Sequence, residues 1–202
     1  MNPETYYIAD AIHQDFGKKV NLEYVTDKLE IELVESALTG SIESFGELCA
    51  RYYNSMVAIA YSVLTDHHLA RDAAQETFAR ALQNLEKLKR KQSFALWLAG
   101  ICRNVALDMA KAESRHVNIQ DRSQLPDSRT EGADNQAIRQ AIDSLSPCEK
   151  ELIVMRYYNK LSHQQMSAVL GLTKPAVNNR LSRARRKLAE YLKRNGFPEV
   201  QL

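Results

Sequence analysis

Hydrophobic residues recur along most of the chain at steps of three and four, the spacing that places them on one face of an α-helix. The sustained alternation of apolar and polar residues that is typical of strands is missing from the sequence. The pattern therefore predicts an all-α protein of two small helical domains joined by a flexible linker, the second containing a helix-turn-helix.

The first half of the chain contains the apolar stripes of a helical bundle. One begins at Leu22, and another begins at Phe45 and ends near Thr65. A third helix is predicted over about 69–88, with Leu82 among its inward-facing residues, and a fourth from Phe94 to about residue 111.

Between residues 114 and 135 the periodicity gives way to Ser, Asp, Arg and Gln with Pro126 and Gly132, which predicts a linker. Fully extended, such a segment would reach roughly 65 Å, close to two turns of duplex DNA. Two modules joined in this way could contact separate sites on one face of DNA.

The second half contains a pair of helix signals separated by a glycine. Ser162 with Gln165 three residues later is a capping-box pattern, and Gly171 allows a tight turn. Thr173 and Pro175 then suit the cap and first turn of another helix. A short helix, a glycine turn and a basic second helix are typical of a helix-turn-helix.

Charge is distributed unevenly, although the formal net charge is only +2. Residues 1–50 contain ten acidic side chains against three lysines, a net charge of −7. Residues 174–194 contain eight basic side chains against Glu190 alone, a net charge of +7. A solvated helix face would also explain a basic run, but the capped partner helix before it favours binding to a polyanion.

The basic helix separates into two faces. Val177, Leu181 and Leu188 are expected to face the core. The opposite face presents side chains that can bond base edges, Asn178, Asn179, Ser182, Arg183 and Arg186. Side chains placed as phosphate contacts are Lys174, Arg180, Arg185, Arg186 and Lys187.

Other function classes find little support. No glycine spacing matches a phosphate loop or a dinucleotide fingerprint, and the histidines lack metalloprotease spacing, so no cofactor, metal or catalytic residue is expected. The three cysteines lie far apart and are expected to be buried free thiols. No apolar run is long enough to span a bilayer, and the N-terminus lacks the basic-then-apolar sequence of a signal peptide. We therefore expect a cytoplasmic protein.

Four stretches of the chain resemble parts of the extracytoplasmic-function class of bacterial RNA polymerase sigma factors. Residues 70–78 (ARDAAQETF) look like the helix by which the family grips the polymerase, and residues 94–104 (FALWLAGICRN) look like its minus-ten element reader. Residues 171–177 (GLTKPAV) and 180–185 (RLSRAR) are similar to its minus-thirty-five-reading domain.

The resemblance implies specific roles for residues at matching positions. It implies core-polymerase binding by Asp72, Gln75 and Glu76, and minus-ten DNA contacts by Lys89, Arg90, Lys91 and Asn104. For minus-thirty-five DNA it implies contacts by Lys174, Asn178, Asn179, Arg180, Ser182, Arg183 and Arg186. Trp97 lies on the apolar stripe and is expected in the core.

On this basis the chain comprises an N-terminal extension (1–30), a region 2 bundle (31–113), the linker (114–135), a region 4 helix-turn-helix (136–195) and a tail (196–202). Its expected partners are core RNA polymerase, promoter DNA and an anti-sigma factor.

A stand-alone helix-turn-helix regulator and a nucleic-acid enzyme remain as alternative functions. Lys174-Pro175 and Asn178-Asn179 depart from the commoner residues of the family, so the target sequence does not follow from the resemblance.

Overall fold

The structure, a computed structural model, describes residues 28–116 and 140–196. Within these two ranges every regular element is helical, which confirms the all-α prediction. The first range forms one module with helices α1 (Lys28–Leu38), α2 (Ile42–Leu64), α3 (His67–Gln83) and α4 (Phe94–His116). Two short 3₁₀ turns, Leu85–Lys87 and Lys91–Ser93, connect α3 to α4.

Local capping explains where α2 and α3 begin and end. The Ser41 hydroxyl accepts a hydrogen bond from the backbone N–H of Ser44 at 3.2 Å and so caps the start of α2. Thr65 adopts a left-handed conformation that ends α2. The Asp66 carboxylate then accepts from the backbone N–H of Leu69 at 2.9 Å, which starts α3 immediately. The chain therefore reverses direction in two residues and packs α3 against α2.

The core of the first module forms around α2, which contacts α1, α3 and α4. The Phe94 ring is fully buried, with its centroid 5.8 Å from that of Tyr52 and 6.0 Å from that of Trp97. Trp97 itself is half-buried and packs against the core, as expected from its place on the apolar stripe. Burial of one such aromatic side chain contributes about 1.5–3 kcal/mol, so this cluster anchors the start of α4 to α2.

The second module contains α5 (Pro147–Ile153), a π-helical segment (Val154–Tyr158), α6 (His163–Leu170) and α7 (Lys174–Arg194). The capping box is present at α6, because the Ser162 N–H donates to Gln165 Oε1 at 2.8 Å and the Gln165 N–H donates to Ser162 Oγ. Gly171 ends α6 with φ of +64°, and Thr173 caps α7. The predicted helix-turn-helix is thus confirmed.

Several sequence-based expectations are wrong in detail. Helix α3 ends at Gln83 instead of continuing to residue 88, and Leu82 is 44% exposed instead of facing inward. The 3₁₀ turn that follows redirects the chain, so that Leu85 rather than Leu82 reaches the core. Helix α4 continues to His116, past its expected end and into the first residues of the predicted linker.

The cysteines also differ from expectation. All three are free thiols, but only Cys102 is fully buried, while Cys49 and Cys148 are half-buried. The Cys102 thiol donates to the Met56 carbonyl at 3.2 Å, and burial raises its pKa to about 12. The rest of the linker, most of the N-terminal extension and the start of the first predicted stripe at Leu22 and Val25 lie outside the described residues. Of the later members of that stripe, Leu33 packs against the core and Leu29 is 49% exposed.

The two modules contact each other directly. Helix α2 packs against α5 and the π-helical segment, while α4 packs against α6. As a result, the residues at positions 55–60 of α2 are all buried, on every side of the helix. A helix buried on all sides must be packed on every face, and α5 and the π-helical segment of the second module pack on the face of α2 that its own bundle leaves open. The modules therefore share one continuous core.

None of the helices in ranges 28–116 and 140–196 combines the length and apolar character that crossing a bilayer would require.

Two glycines offer a matched test of the turn before α7. Added at Gly171, a Cβ meets no atom within 4 Å, but the positive φ disfavours any L side chain. Gly171→Ala is therefore expected to lower the free energy of unfolding by about 1–2 kcal/mol. Gly46, in the interior of α2, also has open space around its Cβ position and lacks a positive φ. Gly46→Ala is expected to raise stability by about 0.5–1 kcal/mol.

Urea unfolding of both variants, followed by circular dichroism, checks these expectations. Equal effects of the two substitutions would contradict the account of the turn.

Candidate nucleic-acid interface

Helix α7 has one buried face and one exposed polar face. Its packing against the second module buries Val177, Leu181, Ala184, Leu188 and Leu192. The side chains of Asn178, Asn179, Ser182, Arg183 and Arg186 are exposed on the other side, where the sequence analysis placed them. Within this exposed surface the nearest acid is Glu190, whose carboxylate lies 4.0 Å from the Arg186 guanidinium. The exposed face therefore presents amide, hydroxyl and guanidinium groups together.

The basic residues of α7 differ in how freely they can reach a phosphate. Lys174 is exposed at the start of the helix, whereas Arg180 is half-buried and donates to the Cys148 thiol at 3.3 Å. Arg185 is also half-buried, and its Nε is buried with no hydrogen-bond partner in the described structure.

Lys187 is bound within the module. Its Nζ lies 2.7 Å from Glu149 Oε1, and Glu149 also accepts from Ser146 at the start of α5. Partial burial acts to raise the pKa of Glu149, but the hydrogen bonds from Lys187 and Ser146 lower it overall. Lys187 is expected to contact phosphate, and in the structure its side chain is 55% exposed and also forms an ion pair that ties α7 to α5.

The proposed minus-ten residues lie on α4 and just before it. Asn104 is exposed on α4, and Lys89 and Arg90 are exposed in the connection that leads to the helix. Lys91 is less accessible, because its Nζ lies 2.6 Å from the Glu35 carboxylate of α1. The structure thus brings Lys89 and Arg90, neither of which forms an ion pair within residues 28–116 and 140–196, to the beginning of the helix that carries Asn104.

Arg103, the neighbour of Asn104, was not singled out from the sequence. Its Nε donates to Glu151 Oε2 at 2.9 Å, across the contact between the modules. The Glu151 side chain is only 5% exposed, and that of Arg103 is 21% exposed. Burial raises the pKa of Glu151, and Arg103 opposes this shift only in part. The partners are 48 residues apart in sequence, so no spacing rule could have paired them.

The proposed polymerase-docking residues share the solvent face of α3. Asp72, Gln75 and Glu76 are exposed, while Ala73, Ala74 and Phe78 are buried in the bundle. Glu76 accepts from Arg80 Nε at 2.6 Å, one helical turn later, and the Arg80 guanidinium also lies 3.6 Å from Asp108 of α4. This network orients Glu76 without burying it.

Comparison with protein families identifies both modules. Residues 48–116 match the model for sigma-70 region 2, and residues 135–188 match the model for sigma-70 region 4. The first match covers α2 from Leu48, all of α3 and all of α4, and the second covers the helix-turn-helix to Leu188.

Several relatives are sigma factors by name. The chain is 30% identical over 161 residues to the probable RNA polymerase sigma factor RfaY of Xanthomonas campestris pv. campestris, covering 74% of this chain and 40% of that protein. It is 28% identical to the ECF RNA polymerase sigma factor BldN of Streptomyces coelicolor, with 80% of this chain and 65% of BldN covered. For the ECF sigma factor SigE of Mycolicibacterium smegmatis the identity is 29%, with 80% and 66% covered. The chain thus spans less than two thirds of the length of each of these three relatives.

Solved structures agree in fold. The structure of CnrH in complex with the cytosolic domain of CnrY matches with a TM-score of 0.62 at 25% identity, covering 83% of this chain and 99% of CnrH. The sigma factor RpoE of Bartonella quintana, crystallised with the anti-sigma factor NepR, matches in fold with a TM-score of 0.64 at 24% identity, covering 75% of this chain and 98% of RpoE.

A region 2 match and a region 4 match follow one another along a single helical chain, and relatives over most of its length carry the sigma-factor name. The chain therefore belongs to the sigma-70 family of RNA polymerase sigma factors, in its extracytoplasmic-function class.

Proposed function

We propose that this chain binds core RNA polymerase, recognises the minus-ten and minus-thirty-five elements of promoters, and directs transcription initiation at a specific set of genes. The observation that carries the proposal is the exposed Asn, Ser and Arg face of α7, which lies within a capped helix-turn-helix and within the region 4 match. Residues 31–113 and 136–195 would form the two functional domains, with 114–135 between them. The chain itself would perform no chemistry.

Minus-thirty-five recognition is assigned to α7. An Asn side chain can bond bidentately to adenine and an Arg side chain to guanine, each good pair discriminating by about 1–3 kcal/mol. Base contacts are assigned to Asn178, Asn179, Ser182 and Arg183, all of which are exposed. Lys174, Arg180 and Arg186 would contact the backbone, Arg180 only after its hydrogen bond to Cys148 is exchanged for a phosphate.

Minus-ten recognition is assigned to Asn104 of α4 and to the basic connection before that helix. Asn104 would bond the edge of a base extruded from the non-template strand, at an unstacking cost of a few kcal/mol. Lys89 and Arg90 are exposed and can attract the strand, which offsets that cost. Lys91 would join them by exchanging the Glu35 carboxylate for a phosphate.

Polymerase docking is assigned to Asp72, Gln75 and Glu76 on the exposed face of α3. This surface is polar and lies on a rigid helix, and the Arg80 network restricts the Glu76 side chain before any partner arrives. Restriction of this kind lowers the entropy cost of binding.

An anti-sigma factor is the proposed inhibitory partner. The RpoE structure that matches in fold contains one, NepR. We also propose that the chain works in the cytoplasm, where polymerase and promoter DNA are found.

The salt dependence of DNA binding distinguishes Arg186, whose nearest acid is 4.0 Å away, from Lys187, which is held in a 2.7 Å ion pair. If about five phosphates are neutralised, the log–log slope of duplex affinity against salt is expected near −4.5. Arg186→Ala is expected to reduce the slope by about 0.9. Lys187→Ala is expected to leave the slope nearly unchanged, because Glu149 holds Lys187. Fluorescence anisotropy with a mixed-sequence duplex measures both slopes, and equal effects would refute the assignment.

Transcription with purified components tests the proposed function itself. The chain is expected to co-elute with core RNA polymerase that lacks its own specificity subunit, and only the complex is expected to make run-off transcripts from a pool of genomic upstream fragments. A stand-alone regulator would instead bind duplex DNA tightly without polymerase, and an enzyme would turn over nucleic acid alone. Failure to associate with core polymerase would overturn the proposal.

Substitutions can separate docking from DNA recognition. Gln75→Ala combined with Glu76→Ala is expected to weaken association with core polymerase at least about tenfold, because two polar anchors are lost. The control is Glu47→Ala with Glu86→Ala, which removes two exposed polar side chains that lie outside α3. Arg183→Ala is expected to reduce transcription that depends on the upstream element and to leave co-elution intact. If Arg183→Ala reduces co-elution instead, the division of labour is wrong.

A further inference from the structure

We propose that the contact between the two modules is an autoinhibitory latch. In this latch the Glu151 carboxylate binds the Arg103 guanidinium, which would otherwise be available to a DNA phosphate. In the closed arrangement described above, the module that carries α7 covers part of the helix that carries Asn104. Opening would release Arg103 as a further contact to the single strand at the minus-ten element. This inference rests on the proposed function.

The position of Arg103 makes it a suitable phosphate ligand. It immediately precedes the exposed Asn104, so the two side chains leave α4 about 100° apart. A strand whose base reaches Asn104 would pass within the range of the long guanidinium side chain. Arg binds phosphate and carboxylate through the same planar set of donors, which makes Glu151 a direct competitor for the same group.

The closed contact cannot coexist with simultaneous use of both modules at separate promoter elements. Helix α4 packs against α6, the first helix of the helix-turn-helix, and α2 packs against α5. Two elements separated along the duplex by about two turns, or roughly 68 Å, require the modules to part. Binding to both elements must therefore break the Arg103–Glu151 pair.

The contact is also energetically imperfect, as expected for one that opens. Glu151 is almost fully buried, and burial raises its pKa even with Arg103 beside it, so the charged carboxylate is disfavoured in the closed state. A buried ion pair of this kind adds little net stability against its hydration in the open state. Asn159, at the end of the π-helical segment that packs on α2, is fully buried, and neither polar atom of its side chain has a partner in the described structure.

Charge reversal at position 151 provides the test, using the full chain without polymerase. Glu151→Lys places a second cation against Arg103 and is expected to open the modules, which increases the radius of gyration measured by small-angle X-ray scattering. Glu151→Gln can keep the hydrogen bond and is expected to stay closed. The exchange variant, Arg103→Glu with Glu151→Lys, restores opposite charges and is expected to close again.

DNA binding supplies the second readout, with a mixed-sequence single-stranded 20-mer as probe. The control for added charge is Glu47→Lys, because Glu47 is exposed on α2 and outside the proposed interfaces. Relative to that control, Glu151→Lys is expected to bind about tenfold more tightly, since affinity rises with the open fraction and one Arg–phosphate contact is gained. The exchange variant lacks Arg103 and is expected to lose this gain.

Clear outcomes would overturn the latch. An unchanged radius of gyration for Glu151→Lys would do so, as would an affinity equal to that of Glu47→Lys or an exchange variant that keeps the gain. If Glu151→Lys does not fold by circular dichroism, Arg103→Glu opposes two carboxylates at the same contact and must expand the chain for the proposal to stand. Because these experiments omit polymerase, a chain that supports run-off transcription but shows no such changes retains its function and loses only the latch.

Discussion

Burial of α2 on all sides is the constraint on which the arrangement of this chain depends. The other helices of the first module cover only part of α2, and the residues at 55–60 become fully enclosed because α5 and the π-helical segment pack on the remaining side. Apolar burial contributes about 25 cal/mol per Å², so this shared surface favours contact between the modules even though the ion pair inside it does not. Attraction between the modules is therefore mainly hydrophobic, and the polar groups determine how readily it is released.

Each proposed binding surface is supported from behind by packing or by an ion pair. On α7, four residues spaced at three or four positions, Val177, Leu181, Ala184 and Leu188, face inward and so orient the Asn and Arg face outward. The Lys187–Glu149 pair joins this helix to the start of α5, where Glu149 also completes the cap. On α3, Arg80 holds Glu76 in a similar way. Side chains positioned in advance lose less entropy when a partner binds.

Local signals in the sequence were sufficient for most of the fold. The caps at Ser162 and Thr173 and the turn at Gly171 each depend on residues within four positions of one another, so their spacing is visible in the chain. The exposed face of α7 followed from the same periodicity. Leu82 was misplaced because the pattern continued past the point where the backbone changes to a 3₁₀ turn. Periodicity shows which face of a helix is apolar but not where the helix stops.

Long-range pairings could not be predicted in this way. Arg103 and Glu151, Lys91 and Glu35, and Lys187 and Glu149 are each separated by 38 or more residues, and charged side chains at such distances have many possible partners. Even so, the three pairs decide which cations are free to meet DNA. The sequence thus predicted which residues form the candidate site and which helix faces carry them. It did not predict which of the basic side chains are held in ion pairs with distant acidic residues.

The shared core has a consequence for inheritance. A chimera that joined the first half of this chain to the second half of a relative would place α2 and Arg103 against a surface that had never been selected to match them. A chimera of this chain and a relative should therefore fold more often when residues 55–60 and the residues that pack on them come from the same parent. The two halves are therefore coupled by the surface on which they pack against each other.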